Sequence, residues 1–168
     1  MAREGDLMAT FKFEGVDKLI AQYQKLDKNT EKVIGKAIYN GAHVVVKAVE
    51  AGIQSISTDD RFGTAENPVN GPTSIQKLGL QYSLGVARMR NDNGFYNVKI
   101  GFDGYNRVKT KRWPSGQPNM MVARSIESGT SWMTKQPFMR KAEQSSKSQC
   151  ELAMSQTVDR EIEKIIGE

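Results

Sequence analysis

Residues 82–102 read YSLGVARMRNDNGFYNVKIGF, and the alternation in this stretch decides that the chain contains a sheet. Tyr82, Leu84 and Val86 fall on every second position, as do Tyr96, Val98, Ile100 and Phe102. In a strand, side chains two apart share a face, so each set forms one apolar side of a half-buried strand. Asn91-Asp92-Asn93-Gly94 lies between them and supplies the turn. Parity then selects its length. A two-residue Asn93-Gly94 loop pairs even positions with odd ones and puts the two apolar sets on opposite faces. A three-residue loop, Asp92-Asn93-Gly94, pairs Val86 with Ile100 and Leu84 with Phe102 and keeps one apolar face. The expectation is therefore this register, with Gly94 in the left-handed conformation.

Long helical patterns flank the hairpin. After a short strand, Ala9 to Glu14, closed by Gly15, the residues Val16, Leu19, Ile20, Tyr23 and Leu26 share one face of an amphipathic helix. Asn29 or Thr30 can cap a second helix that runs to Ile56. Its expected inward set is Val33, Ala37, Gly41, Val44, Ala48 and Ile56. The small residues Gly41, Ala48 and Gly52 permit close approach of another element. Residues 120–128, MMVARSIES, form a short helix or strand that stops at Gly129. The last helix follows Pro137, with Phe138, Ala142, Ser146, Cys150, Met154, Val158, Ile162 and Ile166 spaced by four. Met139 and Ile165 widen that stripe. A helix this long is expected to outrun its own core and offer apolar surface to another subunit. These elements predict an α+β fold, a small antiparallel sheet with a central hairpin packed on one long helix from each half. The whole chain, 1–168, reads as one domain with extended loops at 57–74 and 103–119.

Both loops are candidates for contact with partners. Residues 57–74 are turn-formers throughout, and a loop of that length is either functional or partly mobile. Its Asp59-Asp60 pair has no histidine or further acid beside it and reads as a solvated turn. Residues 103–119 carry Arg107, Lys109, Lys111 and Arg112 next to Trp113. That pattern suits a nucleic-acid finger, with Trp113 stacking and the cations on phosphates, or else a solvated hairpin extension.

Composition narrows the chemistry. One cysteine, Cys150, and one histidine, His43, exclude an intrachain disulfide and a Cys/His zinc cluster. His43 sits in an Ala/Val-rich helix and reads as a structural histidine. No run approaches the about 20 apolar residues that span a bilayer, and the acidic residues Glu4 and Asp6 argue against a secretory signal. Twenty-four Lys and Arg against 19 Asp and Glu leave a formal charge of +5, compatible with polyanion neighbours.

The stretch ESGTSWMTKQPFMRKA, residues 127–142, could be mistaken for a reactive loop. It has no Gly-x-Ser-x-Gly elbow, no phosphate-loop glycines and no nearby base for Ser131 or Thr130. An anion could bind the free amides at the start of the last helix, near Lys135 and Arg140. Glu127 or a neighbour's carboxylate would satisfy the same amides. The better reading is a structural corner. Gly129 stops one element, Thr130 and Ser131 bond local backbone, Pro137 sits in the first turn of the next helix, and Phe138 anchors it. Trp132 and Met133 are then candidates to face a neighbouring subunit.

In this order of elements the chain resembles the tail-component family of tailed bacteriophages and prophages, the neck or tail-completion proteins. The resemblance rests on Glu127, Gly129 and Thr130, then Pro137, Phe138, Met139, Arg140 and Ala142, and on the opening GVDKLIAQYQKL. Ser128 departs from the large apolar residue frequent there, and TDDRFGTAENPVNGPTSIQKLGLQYS replaces the family's shorter loop. The resemblance implies a non-enzymatic virion protein without cofactor or membrane association. It implies a homo-oligomeric ring, six-fold by expectation, that completes the tail and joins it to the head. Head-closure and tail-terminator or tail-tube proteins would be its neighbours. It would reside in the virion neck, and in the host cytoplasm during assembly. Trp132, Met133, Val158, Ile162, Ile165 and Ile166 are the interface candidates. Arg107, Lys109, Lys111 and Arg112 are candidates to face passing DNA. A small nucleic-acid-binding module built on loop 103–119 is the alternative.

Overall fold

The computed structural model describes residues 9–10 and 29–166. The expected helix over residues 16–26 and the remainder of the first strand lie outside the described residues. Within them the fold is α+β. Two long helices, α1 (Thr30–Ser55) and α4 (Met139–Ile166), pack antiparallel along their length. The shorter α2 (Ser74–Ser83) and α3 (Asn119–Ser128) accompany a small sheet made of β1 (Ala9–Thr10), β2 (Leu84–Val86) and β5 (Lys99–Phe102). The ribbon of β3 (Arg90–Asp92) and β4 (Phe95–Asn97) extends it.

The helix pair forms because two rows of side chains match. On α4 the row is Phe138, Ala142, Ser146, Cys150, Met154 and Val158, every one of them buried. On α1 it is Val33, Ala37, Gly41, Val45, Val49 and Ile53. Rows spaced by four form ridges that climb about 40° around a helix per step, and such ridges fit one another's grooves. The sequence pattern turns the α1 row toward Val44 and Ala48, but both stay half-buried. The α4 row keeps its spacing of four, and α1 keeps step with it. Ser146 donates its hydroxyl to the Ala142 carbonyl (2.7 Å), so the one polar rung costs no unpaired group.

At mid-length the helices touch closely. A Cβ on Gly41 would sit 2.6 Å from Met154 Cγ and 2.9 Å from Cys150 Sγ. Near the far end, Asn40 donates to Thr157 (2.9 Å) and Lys36 pairs with Glu161, which also accepts from Lys164 (2.9 Å). Hydrogen bonds from Lys36 and then Lys164 hold the Glu161 carboxyl down at about 2. The α4 stripe is thus used by its own chain. What is left of the stripe lies at the end of the helix, where Ile162 is half-buried and Ile165 is exposed.

The sheet keeps the expected register at its base: Leu84 faces Phe102 and Val86 faces Ile100, with β1 on the other side of β5. The tip differs. Asp92 pairs with Phe95, so the loop is the two-residue Asn93-Gly94, both with positive φ (55° and 93°). This turn type matches the twist of the strands, whereas a longer loop has no such advantage. The parity conflict is resolved lower down, where Ala87, Arg88 and Met89 stand against Val98 and Lys99. Three residues against two is a net insertion of one, a bulge. The bulge leaves the Met89 amide outside the ladder, and the Tyr39 hydroxyl accepts it (2.9 Å) while the Met89 side chain lies over Gly35. The bulge therefore docks the hairpin on α1.

Tyr82, expected in a strand, ends α2 instead and is exposed. Thr73 and Gln76 close a capping box at the start of that helix, a local signal that overrides the short alternation after it. Lys77 reaches back to the carbonyls of Gln54 (2.8 Å) and Ile56 (2.7 Å), satisfying the end of α1. Substituting Gly41→Leu should lower stability by about 1–3 kcal/mol in chemical denaturation, by overpacking against Met154. Met154→Ala in the same chain should recover part of the loss, and an unchanged Gly41→Leu midpoint would contradict the close approach.

Candidate functional site

The corner between α3 and α4 is built around one carboxylate. Glu127, in the last turn of α3, accepts the amides of Phe138 (2.8 Å), Met139 (2.8 Å) and Arg140 (3.1 Å). The first turn of a helix leaves amides without internal partners and carries partial positive charge, so a carboxylate there is doubly favoured. The anion position foreseen at the start of α4 is therefore occupied by Glu127 itself. Gly129 ends α3 at φ 74°, and a Cβ there would press on Lys135 at 3.0 Å. Pro137 stands just ahead of α4 and not inside its first turn. Phe138 is buried, with its ring tilted against Phe102 at 6.0 Å between centroids.

Thr130 and Met133 exchange backbone bonds (2.9 and 3.3 Å), and the Thr130 hydroxyl accepts the Trp132 amide (3.4 Å). Among the described residues no base bonds the Thr130 or Ser131 hydroxyl. His43 lies on the exposed face of α1. Cys150 is fully buried, and desolvation, with the Glu151 charge adding to it, pushes its thiol up to about 12. No group of three potential metal ligands exists among the described residues.

Loop 57–73 is stitched to this corner. Val69 donates to the Trp132 carbonyl (2.9 Å) and accepts from Thr134 (2.9 Å). Gln136 is the hub that the sequence reading missed. Its side chain accepts from Ser57 N (2.9 Å) and donates to the carbonyls of Ser57 (3.1 Å) and Asn70 (2.6 Å). Its own amide donates to Ile126 (2.9 Å), so it ties α3 and the loop together. The chain passes so closely that a Cβ on Gly71 would lie 1.8 Å from the Ser57 carbonyl oxygen. Asp59 and Asp60 diverge to separate structural partners. Asp59 accepts from Arg61 (2.7 and 2.9 Å), which holds its carboxyl well below the usual range, and from Asn70 N (3.3 Å). Asp60 receives the Ser74 amide (2.7 Å) and hydroxyl (3.0 Å) at the start of α2. Asp60 is exposed, as the reading of a solvated turn expects, while Asp59 is half-buried, and both acids also brace the loop.

Trp132 and Met133 point different ways. Trp132 is 51% exposed, while Met133 is covered by its own chain. Beside Trp132 runs Gly63, and its neighbour Phe62 is 95% exposed, an aromatic that the pattern of turn-formers hid. The other interface candidates lie elsewhere. At about 1.5 Å per residue, Val158 is roughly 28 Å up the helix from Met139. Val158 is buried under α1, Ile162 packs partly on the core, and Ile165 is exposed. Ile166 belongs to the helix, but its side chain lies outside the described residues. Buried Met133 and Val158 offer a neighbour no surface, and among the described candidates Trp132 and Ile165 are the exposed ones. A further apolar face appears on α2, where Ile75, Leu78 and Tyr82 are all exposed at helical spacing.

Arg107, Lys109, Lys111 and Arg112 are all exposed on a finger closed at its base by Asn106 N to Gln117 O (2.9 Å) and a Tyr105–Pro118 bridge. Compared with known proteins, the chain matches no family model, no curated protein and no solved structure. Glu127→Ala should cost about 1–3 kcal/mol of unfolding free energy, as the loss of three accepted amides implies, and Glu127→Gln less. A Glu127→Ala midpoint in urea equal to the parent's would contradict the cap.

Proposed function

We propose that the chain is a non-enzymatic virion structural protein of a tailed phage or prophage, of the tail-completion kind. It would assemble as a homo-oligomeric ring at the neck, between head-closure proteins and the tail-terminator or tail-tube proteins. The observation that carries this reading is the corner. The spaced residues that resemble the family, Glu127, Gly129, Thr130, Pro137, Phe138 and Arg140, act together as one cap and turn. Their spacing has a physical purpose, since Glu127 must reach the amides that follow Pro137.

A second observation supports self-association. Phe62, Trp132, Ile75, Leu78 and Tyr82 leave large apolar side chains in water on segments held in place by hydrogen bonds. Aromatic and apolar clusters of this sort mark contact surfaces more often than scattered exposed residues do. Light-scattering mass of the purified chain should give an assembly well above 18.7 kDa, near 112 kDa for six copies. Phe62→Ala with Trp132→Ala should shift it toward the single chain. A strictly monomeric parent chain at every concentration up to millimolar would contradict the proposal.

A further inference from the structure

We infer that the finger at 104–118 is a contact for the phosphate backbone of double-stranded DNA, one that reads charge and not bases. The inference stands on charge and geometry and does not depend on the ring. Residues 104–118 contain Arg107, Lys109, Lys111 and Arg112 and no acid, while the whole chain has a formal charge of +5. The finger therefore concentrates most of the net charge, and the rest of the chain is close to neutral.

All four cations are exposed, and among the described residues none pairs with a carboxylate. Asp103, the acid that precedes the finger in sequence, turns its carboxylate to the Gly104 amide (2.6 Å). An unpaired run of cations on one projection is suited to releasing counterions from a dense row of phosphates.

The finger is held in shape before any partner arrives. Asn119 donates its amide to Gly104 O (3.0 Å) and its side chain to Asp103 O (2.9 Å), and Asn106 accepts the Val108 amide (2.9 Å). Both asparagines are buried at the base, and Gln76 of α2 bonds Gln117. Near the tip, Thr110 and Trp113 exchange backbone bonds (3.1 and 3.0 Å) and Gly116 bonds Trp113 O (3.2 Å).

Trp113 separates the two nucleic-acid readings. Single-strand binders need an open aromatic platform for bases. Here Trp113 is half-buried, and the Arg112 guanidinium lies over its ring at 5.7 Å from the centroid. Arg112 thus occupies a face of the ring that a base would need, which argues against Trp113 as an open stacking platform. The contact left to the finger is electrostatic, and it suits a duplex, whose phosphates are densest.

The test is fluorescence anisotropy of the purified full chain with a labelled 20-base-pair duplex, from 50 to 200 mM salt. Four neutralised phosphates give a slope of about −3.6 in log affinity against log salt, or roughly a hundredfold weakening over that range. Replacing Arg107, Lys109, Lys111 and Arg112 together by Gln should remove most of that slope, with an unchanged melting temperature. Two duplexes of different sequence should bind alike, and a single strand no better. Failure of the parent chain to bind duplex at 50 mM salt would overturn the inference, as would an unchanged slope in the quadruple variant. Tighter binding to the single strand that is lost on Trp113→Ala would also overturn it. So would equal competition by polyglutamate, which would assign the finger to an acidic protein. None of these outcomes bears on whether the chain forms a ring.

Discussion

The contact between α1 and α4 at Gly41 is the constraint on which the other elements depend. Each buried Val, Ile or Met along these rows contributes on the order of 1.5–3 kcal/mol relative to exposure, far more than the solvent-facing pairs near the helix ends. That burial needs the helices close. Glycine at position 41 lets Met154 and Cys150 fill the space where a side chain would stand. Interior glycine weakens a helix by about 1 kcal/mol relative to alanine, so its presence is offset by the packing it allows. The hairpin is then set on α1 through Met89 and Tyr39.

From the helix pair, rigidity passes to the surface by hydrogen bonds. Glu127 joins the end of α3 to the beginning of α4, and Gln136 joins both to loop 57–73. The loop that reads as turn-formers is consequently braced at Ser57, Asp59, Val69 and Asn70. Phe62 and Trp132 protrude from a fixed frame, and the basic finger has its own buried base. Such pre-ordering means that less conformational entropy is lost in any contact this surface makes.

Much of this is readable from the residues, for reasons that can be stated. Alternation places Val86 opposite Ile100 because one sheet face must be apolar, and the structure has that pair. The same logic misplaces the turn. Its length depends on a bulge, and the bulge depends on a tyrosine hydroxyl fifty positions away. The row of residues spaced by four from Phe138 to Val158 is legible, but a row does not say what covers it, and α1 does. Helix α2 was hidden because its apolar residues Ile75, Leu78 and Tyr82 face outward, leaving Leu80 as its buried anchor. Its capping box, Thr73 to Gln76, was the available signal. Glu127 was legible as a candidate cap, yet choosing it over a neighbour's carboxylate required its distance to three amides.

Cys150 reports most directly on whether the paired helices form a closed core under a pre-ordered surface. It is the only cysteine in the chain, it is fully buried beside Gly41, and its thiol is held protonated. The measurement is the rate of alkylation by iodoacetamide at neutral pH, followed by mass spectrometry. Negligible labelling of the native chain over hours is expected, and complete labelling once the chain is unfolded in denaturant. Rapid stoichiometric labelling with native helical content intact would contradict it.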